Sequence, residues 1–521
     1  MTKKIKEIQG FIDNKTIYNL DVGLNNYFIN NFYNKIIEDI NNNKYDRKYF
    51  SQLQNNLNRI NVELKDYKHE SAIIVGEVQS GKTNNIIGAV CQAMDLNYDL
   101  IILLGGTNNN LLEQFKARMY NTFENRKSYF KLETSHSEIE FSNHMKNNER
   151  VIILSLKEDD NLEKIYREIE FSEDLLKNKK ILLIDDECDY ATVGKYKKSP
   201  NINNESNHKY FKRNYILKWT KIYELINNIL IKSSGKYLGI TATPYANIIA
   251  KHNNFLWPRK ILKLESSENY TGIDFFKKNS YCYKIIEKKD IQSAVKYFLV
   301  VSSILKYIKY KFNNFQMLIN CDSKNSGQES IKSSVTNLIN HLNKIMNIKI
   351  FKTIIDEVIE DGAFLKTLVI NCNIQELYDI AKKNLADMFE NIDIWNQNYE
   401  NKIKESNLQI IIGSTLISRG YTFPNLLVEV ITLSRQQKQP IDTLLQRARW
   451  FGYRKDNNFY KFMKIFMTQQ VYKNYEEAYF VNYNLYNNIL SEYVIENSIN
   501  IIEKIKDYAK TYKTIKLTDK E

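Results

Sequence analysis

Gly76-Glu77-Val78-Gln79-Ser80-Gly81-Lys82-Thr83 spells a complete G-x-x-x-x-G-K-T phosphate loop. Backbone N–H groups at a helix start can surround phosphate oxygens. Gly76, Gln79, Ser80 and Gly81 would shape that cradle, and Lys82 would neutralise the β- and γ-phosphates of ATP. Thr83 would place its hydroxyl on Mg²⁺. Asp186-Glu187-Cys188-Asp189 follows the apolar run Ile181–Ile184. Asp186 would hold the metal through water, and Glu187 would orient or deprotonate the attacking water. Asp189 is expected to link to a second lobe, Asp185 to be a duplicate carboxylate without a role, and Cys188 to be a small buried filler. Thr241-Ala242-Thr243-Pro244 offers the hydroxyls of Thr241 and Thr243 to the acidic cluster, coupling it to nucleotide state.

Far downstream lie Ser418-Arg419-Gly420 and Gln446-Arg447-Ala448-Arg449. Arg449 and Arg454 are the candidate arginine fingers, since a guanidinium at the γ-phosphate stabilises transition-state charge. Gln446 and Gly420 would couple the cleft to closure. Ser414, Thr415 and Arg419 are candidate nucleic-acid contacts. Thr107 to Gln114 offers amides and hydroxyls to a nucleic-acid backbone, or equally a capped helix start. Trp450, Phe451 and Tyr453 are expected to pack in the core, with base stacking as the alternative. Glu63-Leu64-Lys65 has the E-x-K shape of a nuclease but lacks a preceding strand and Asp, so no nuclease site is assigned.

Chemistry of this kind needs strands that end at the site. Ala72–Val75, Leu100–Leu104, Val151–Leu154, Ile181–Ile184 and Tyr237–Ile240 are apolar runs alternating with helical stretches, the pattern of a parallel sheet covered on both faces. In such sheets ligands bind at the carboxyl ends of the strands. A second set is expected at Phe315–Ile319, Leu368–Ile370, Leu408–Ile412, Leu427–Ile431 and Lys461–Met467. The fold class is therefore α/β, with two parallel-sheet lobes. Expected boundaries are a helical extension over 1–68, a first lobe over 69–262, a linker over 263–290, a second lobe over 291–471 and a helical extension over 472–521.

The chain has 521 residues, too many for one core. Its net charge is +13, which suits phosphate backbones as partners and equally suits the lysine bias of an AT-rich genome. Five scattered cysteines without a C-x-x-C pair argue against a disulfide framework, so a reducing cytoplasm is expected. No apolar stretch approaches the ~18 residues of a membrane helix, and no membrane partner is expected.

The motif order resembles superfamily 2 helicases and, more narrowly, the Z1-domain family of bacterial helicase-like proteins. The resemblance rests on Val78–Thr83, Ile184–Glu187, Gly239–Asn247, Ser418–Gly420 and Asp442–Arg454. It implies two RecA-like lobes, ATP hydrolysis with Mg²⁺ and engagement of nucleic acid, with DNA preferred to RNA as the expected track. It also implies a restriction or anti-phage setting, beside MutL- or MORC-like ATPases and a separate nuclease. Such proteins are often labelled endonucleases, and that label is not carried over. Two departures stand out. Ala448 replaces the family's glycine before Arg449, and Gly452 stands where an ordinary helicase has a second arginine. A switch or assembly protein without processive motion is the competing expectation.

Overall fold

The computed structural model describes residues 26–42, 47–66, 71–105, 109–123, 130–134, 141–190, 192, 195–198, 215–218, 220–249, 255–287, 290–312, 314–321, 325–360, 363–395, 408–414, 423, 425–432, 438–485 and 515–516. Strands β1 (Ser71–Val75), β2 (Leu100–Leu104), β3 (Phe130–Thr134), β4 (Arg150–Ser155), β5 (Ile181–Asp186), β6 (Lys236–Thr241) and β7 (Lys260–Lys263) form one sheet in the order β3-β4-β2-β5-β6-β1-β7. Every pairing in it is parallel. Side chains alternate across a strand. Ile73 and Val75 accordingly join one apolar layer while Ala72 and Ile74 join the other.

The second sheet contains β8 (Tyr283–Ile285), β9 (Gln316–Asn320), β10 (Ile392–Trp395), β11 (Gln409–Gly413), β12 (Leu426–Ile431) and β13 (Lys464–Met467), in the order β8-β13-β12-β9-β11-β10. It too is parallel throughout. The chain is thus α/β with two parallel sheets. Residues 264–282, between the sheets, are not a bare tether. Tyr270–Thr271 pairs antiparallel with Gly452–Tyr453, so the arginine-bearing turn is stitched to the segment that joins the two sheets.

One expected strand is corrected. Leu368–Ile370 ends the helix Ala363–Ile370, with Ile370 74% exposed. A short apolar run does not by itself separate a buried strand from a helix turn, and here neighbouring helices decide.

The helix Tyr27–Asn41 has no side-chain cap of its own at Asn26. Asp95 supplies one from a distance, accepting from the amides of Phe28 and Ile29 at 2.9 and 3.0 Å. The helix Arg47–Lys65 lies so close to the helix Lys82–Asp95 that a Cβ on Gly88 would sit 2.5 Å from Leu57. Its far end carries Glu63, fully buried, whose carboxylate meets Lys236 at 2.7 Å and Lys260 at 2.9 Å. Lys236 also donates to the carbonyls of Glu63 and Asp66. Glu63 therefore fastens the N-terminal helices to the sheet. Removing one member of a buried ion pair leaves its partner charged and uncompensated. Glu63→Ala is expected to destabilise the first lobe by about 3–5 kcal/mol, read as a lowered denaturant midpoint. An unchanged midpoint would contradict this fastening role.

Candidate active site

The phosphate loop leaves β1 at Val75, where the Gly76 amide donates to the Thr241 carbonyl at 3.0 Å. It then turns through two left-handed residues, Gln79 at φ 57° and Gly81 at φ 81°. Gly81 meets Tyr49 closely, a further reason for glycine there. Lys82 and Thr83 open the helix Lys82–Asp95. The Lys82 ammonium donates to the Glu77 carbonyl at 3.0 Å. Burial lowers its pKa, and Asp186, Glu187 and Asp189 oppose that shift, so the acidic cluster faces the loop. Ser80 Oγ is buried with no hydrogen-bond partner among the described residues, inside a loop whose amides suit an anion.

Asp186 ends β5, and its carboxyl is pushed up to about 7 by burial and then by the neighbouring Glu187 charge, against the pull of Lys82 and Lys157. Glu187 takes a left-handed φ of 52°, uncommon for a residue with a side chain. Lys157 explains how that backbone is held. Its ammonium donates to the carbonyls of Asp186 and Glu187 at 2.7 Å each, and to Tyr190 at 3.2 Å. It also pairs with Asp185 at 2.9 Å, both side chains being fully buried. Asp185 further accepts from Thr192 and Tyr237, each at 2.9 Å. The reading of Asp185 as a carboxylate without a role is therefore corrected: it is the counter-charge of the lysine that pins the acidic loop.

Asp189, read from the sequence as a link between lobes, accepts within its own lobe, from Thr241 at 2.7 Å and Thr243 at 2.8 Å. Asn247 donates to the Cys188 carbonyl at 3.0 Å, closing the same cluster, and Cys188 itself is buried. Tyr245, next to the Thr-Pro turn, donates to Asn482 of the helix Gln469–Asn484 at 3.1 Å.

The second lobe rests on the loop. With its amide oriented to suit its neighbours, Gln79 donates to the Phe451 carbonyl at 2.7 Å and accepts from the Arg449 guanidinium at 3.1 and 3.3 Å. Tyr453 donates to the Ser80 carbonyl at 2.8 Å, and Tyr270 to that of Val78 at 2.6 Å. Arg449 is thus brought to the phosphate loop. Arg454 donates to the carbonyls of Phe423 and Arg449 at 2.7 and 3.3 Å, bracing the turn that carries Arg449. Gln446 is buried, and its carbonyl accepts from Arg449 at 3.3 Å. Trp450 and Phe451 are buried in the core. Ser414 is buried just past β11. Thr107, Thr415, Arg419 and Gly420 lie outside the described residues, as does the side chain of Gln114.

Sequence reasoning passed over Lys157, Tyr49 and Glu429. Glu429 sits at the centre of the buried strand β12, and its carboxylate accepts the Arg449 amide at 3.1 Å. Burial pushes its pKa up to about 8, against the pull of Arg449 and Arg454. A lone glutamate inside Leu426–Ile431 was a legible signal, because charges are rarely buried unless paired.

Among the described residues no three His, Cys, Asp or Glu side chains form a metal cage. Mg²⁺ asks for less: one or two protein oxygens, with water and phosphate completing its shell. Thr83, in the first turn of the helix after the loop, and Asp186, at the end of β5, are the two residues that would supply them. No helix among the described residues is long and apolar enough to cross a membrane.

Residues 290–503 match the Z1 domain family. Among curated proteins none matches the chain. The structure is similar to the DUF1998 helicase MrfA bound to DNA and AMPPNP, at 13% identity and TM-score 0.43, over 89% of this chain and 56% of that one. For MrfA bound to DNA the values are 11%, 0.42, 79% and 48%. For S. cerevisiae Dbp5 bound to RNA and ADP BeF3 they are 12%, 0.34, 84% and 89%. The chain spans about half the length of the MrfA chains it matches.

Lys157 yields a test independent of any activity. Lys157→Met is expected to raise amide exchange over residues 186–190 by about tenfold or more, with Leu182–Ile184 little changed. Uniform exchange across β5 in both proteins would contradict its pinning role.

Proposed function

We propose that this chain is a Mg²⁺-dependent ATP hydrolase, driven by nucleic acid, whose two lobes close on the nucleotide. The observation that carries the reading is the convergence of the phosphate loop, the Asp186–Glu187 turn and Arg449 of the second lobe. Lys82 would bind the β- and γ-phosphates, and Thr83 and Asp186 would hold Mg²⁺, which supplies charge neutralisation at the phosphates when bound. Glu187 would accept a proton from the attacking water, its carboxylate aimed by a backbone that Lys157 fixes. Arg449 would meet the charge that develops on the γ-phosphoryl oxygens. Its dependence on the second lobe makes turnover depend on closure.

Nucleic acid as the activating partner draws support from the net charge of +13 and from the resemblance of the motif set to helicases. We take DNA as the track. The resemblance alone supports a restriction or anti-phage role beside a separate nuclease and a MutL- or MORC-like ATPase. One observation favours a switch without processive stepping. Gly452 takes φ 130°, a conformation that would strain the arginine an ordinary helicase has there, so the site has one finger fewer.

ATP hydrolysis by wild type, Glu187→Gln and Lys82→Ala, with and without single-stranded DNA, duplex DNA and RNA, tests the reading. Stimulation by one polymer is expected, with a loss of about 10²–10⁴-fold in Glu187→Gln. Turnover rising with polymer length supports a translocase, and length-independent turnover supports the switch. Turnover that ignores every nucleic acid, or survives both substitutions, would overturn the proposal.

A further inference from the structure

A cleft of about 750 Å³ opens beside the phosphate loop, within the range of small-molecule sites. Glu77 is the residue the two share. Its backbone carbonyl turns to Lys82, while its side chain lines the cleft with the segment after β7. The Ser266 hydroxyl and the Lys263 ammonium lie near the Glu77 carboxylate. That carboxylate also lies so close to Gly272 that a Cβ there would sit 3.2 Å from its Oε1. A carboxylate has about four lone-pair sites, so these neighbours leave it able to accept further N–H donors. Aromatic residues share the lining: Phe275 from the segment between the sheets, and Tyr479 and Tyr483 from the helix Gln469–Asn484. Lys455, directly after the Arg454 turn, stands at the same cleft.

A cavity that starts on a phosphate loop and is lined by both a carboxylate acceptor and aromatic rings suits one kind of ligand. The flat ring of a nucleobase stacks on aromatic side chains, and its exocyclic amine donates to a carboxylate. Uracil lacks that amine. We infer that this cleft binds the nucleoside end of the triphosphate, that it selects an amino-bearing purine through Glu77, and that the helix Gln469–Asn484 closes over the base. The inference rests on the phosphate-loop reading above and extends it to the part of the nucleotide that loop does not touch. It also gives the second lobe two holds on one ligand: Arg449 at the phosphates and Tyr479–Tyr483 at the base.

The test is equilibrium binding, with Mg²⁺, of ATP, purine riboside triphosphate lacking only the 6-amino group, and inorganic tripolyphosphate. The proteins are wild type, Glu77→Ala, Ser267→Trp and Lys82→Ala. Wild type should bind ATP about tenfold more tightly than purine riboside triphosphate, the scale of one buried hydrogen bond to a charged group. Glu77→Ala should erase that preference. Ser267→Trp, which fills the cleft away from the loop, should weaken ATP about tenfold or more while leaving tripolyphosphate unchanged. Equal affinity of wild type for the two nucleosides, or equal weakening of ATP and tripolyphosphate by Ser267→Trp, would overturn the inference. Tripolyphosphate binding that ignores Lys82→Ala would instead sink the phosphate-loop reading, and the comparison of the two nucleosides would still judge the cleft.

Discussion

The contact on which the structure turns is the one between the phosphate loop and the Arg449–Arg454 segment. Gln79 grips Arg449 and Phe451, and Tyr453 holds the Ser80 carbonyl. These bonds satisfy a backbone carbonyl and the side-chain amide of the loop. They also make the second lobe part of the loop's wall. The ladder between Tyr270–Thr271 and Gly452–Tyr453 fixes the geometry of that docking. Any movement of one sheet against the other must therefore be felt at the loop.

Buried charge organises the rest of the site. Lys157 and Asp185 are both removed from water, an arrangement that is costly unless every remaining donor and acceptor is matched. Here the lysine reaches three carbonyls and the carboxylate reaches two hydroxyls. The outcome is a rigid turn that tolerates the left-handed Glu187. Glu429 does similar work in the second sheet, where it sits under Arg449 and Arg454 and sets the course of the arginine turn. Two pinned turns, one acidic and one basic, then both lie close to Lys82.

Much of this architecture is legible in the sequence. The strand before the phosphate loop, the strand ending at Asp186 and the strand ending at Thr241 are continuous apolar runs, and parallel burial on both faces makes such runs. The pairing of Thr241 and Thr243 with the acidic cluster followed from motif position. What stayed hidden depends on contacts between residues far apart in sequence. Lys157 looks like any surface lysine, yet its neighbours 28 or more positions away bury it. Tyr453 was read as core, although its hydroxyl reaches the loop 373 positions away. Leu368–Ile370 was misread because a three-residue apolar run carries no period. The cleft beside Glu77 was hidden because no motif marks it.

In the proposed function the second lobe completes the site through Arg449. Single-turnover hydrolysis and ATP binding, measured together in wild type and Arg449→Ala, test it most directly. ATP is expected to bind still within a few-fold of wild type, while the chemical step slows by about 10³-fold or more, the scale of an arginine finger. A chemical step that proceeds at the wild-type rate without Arg449 would contradict it.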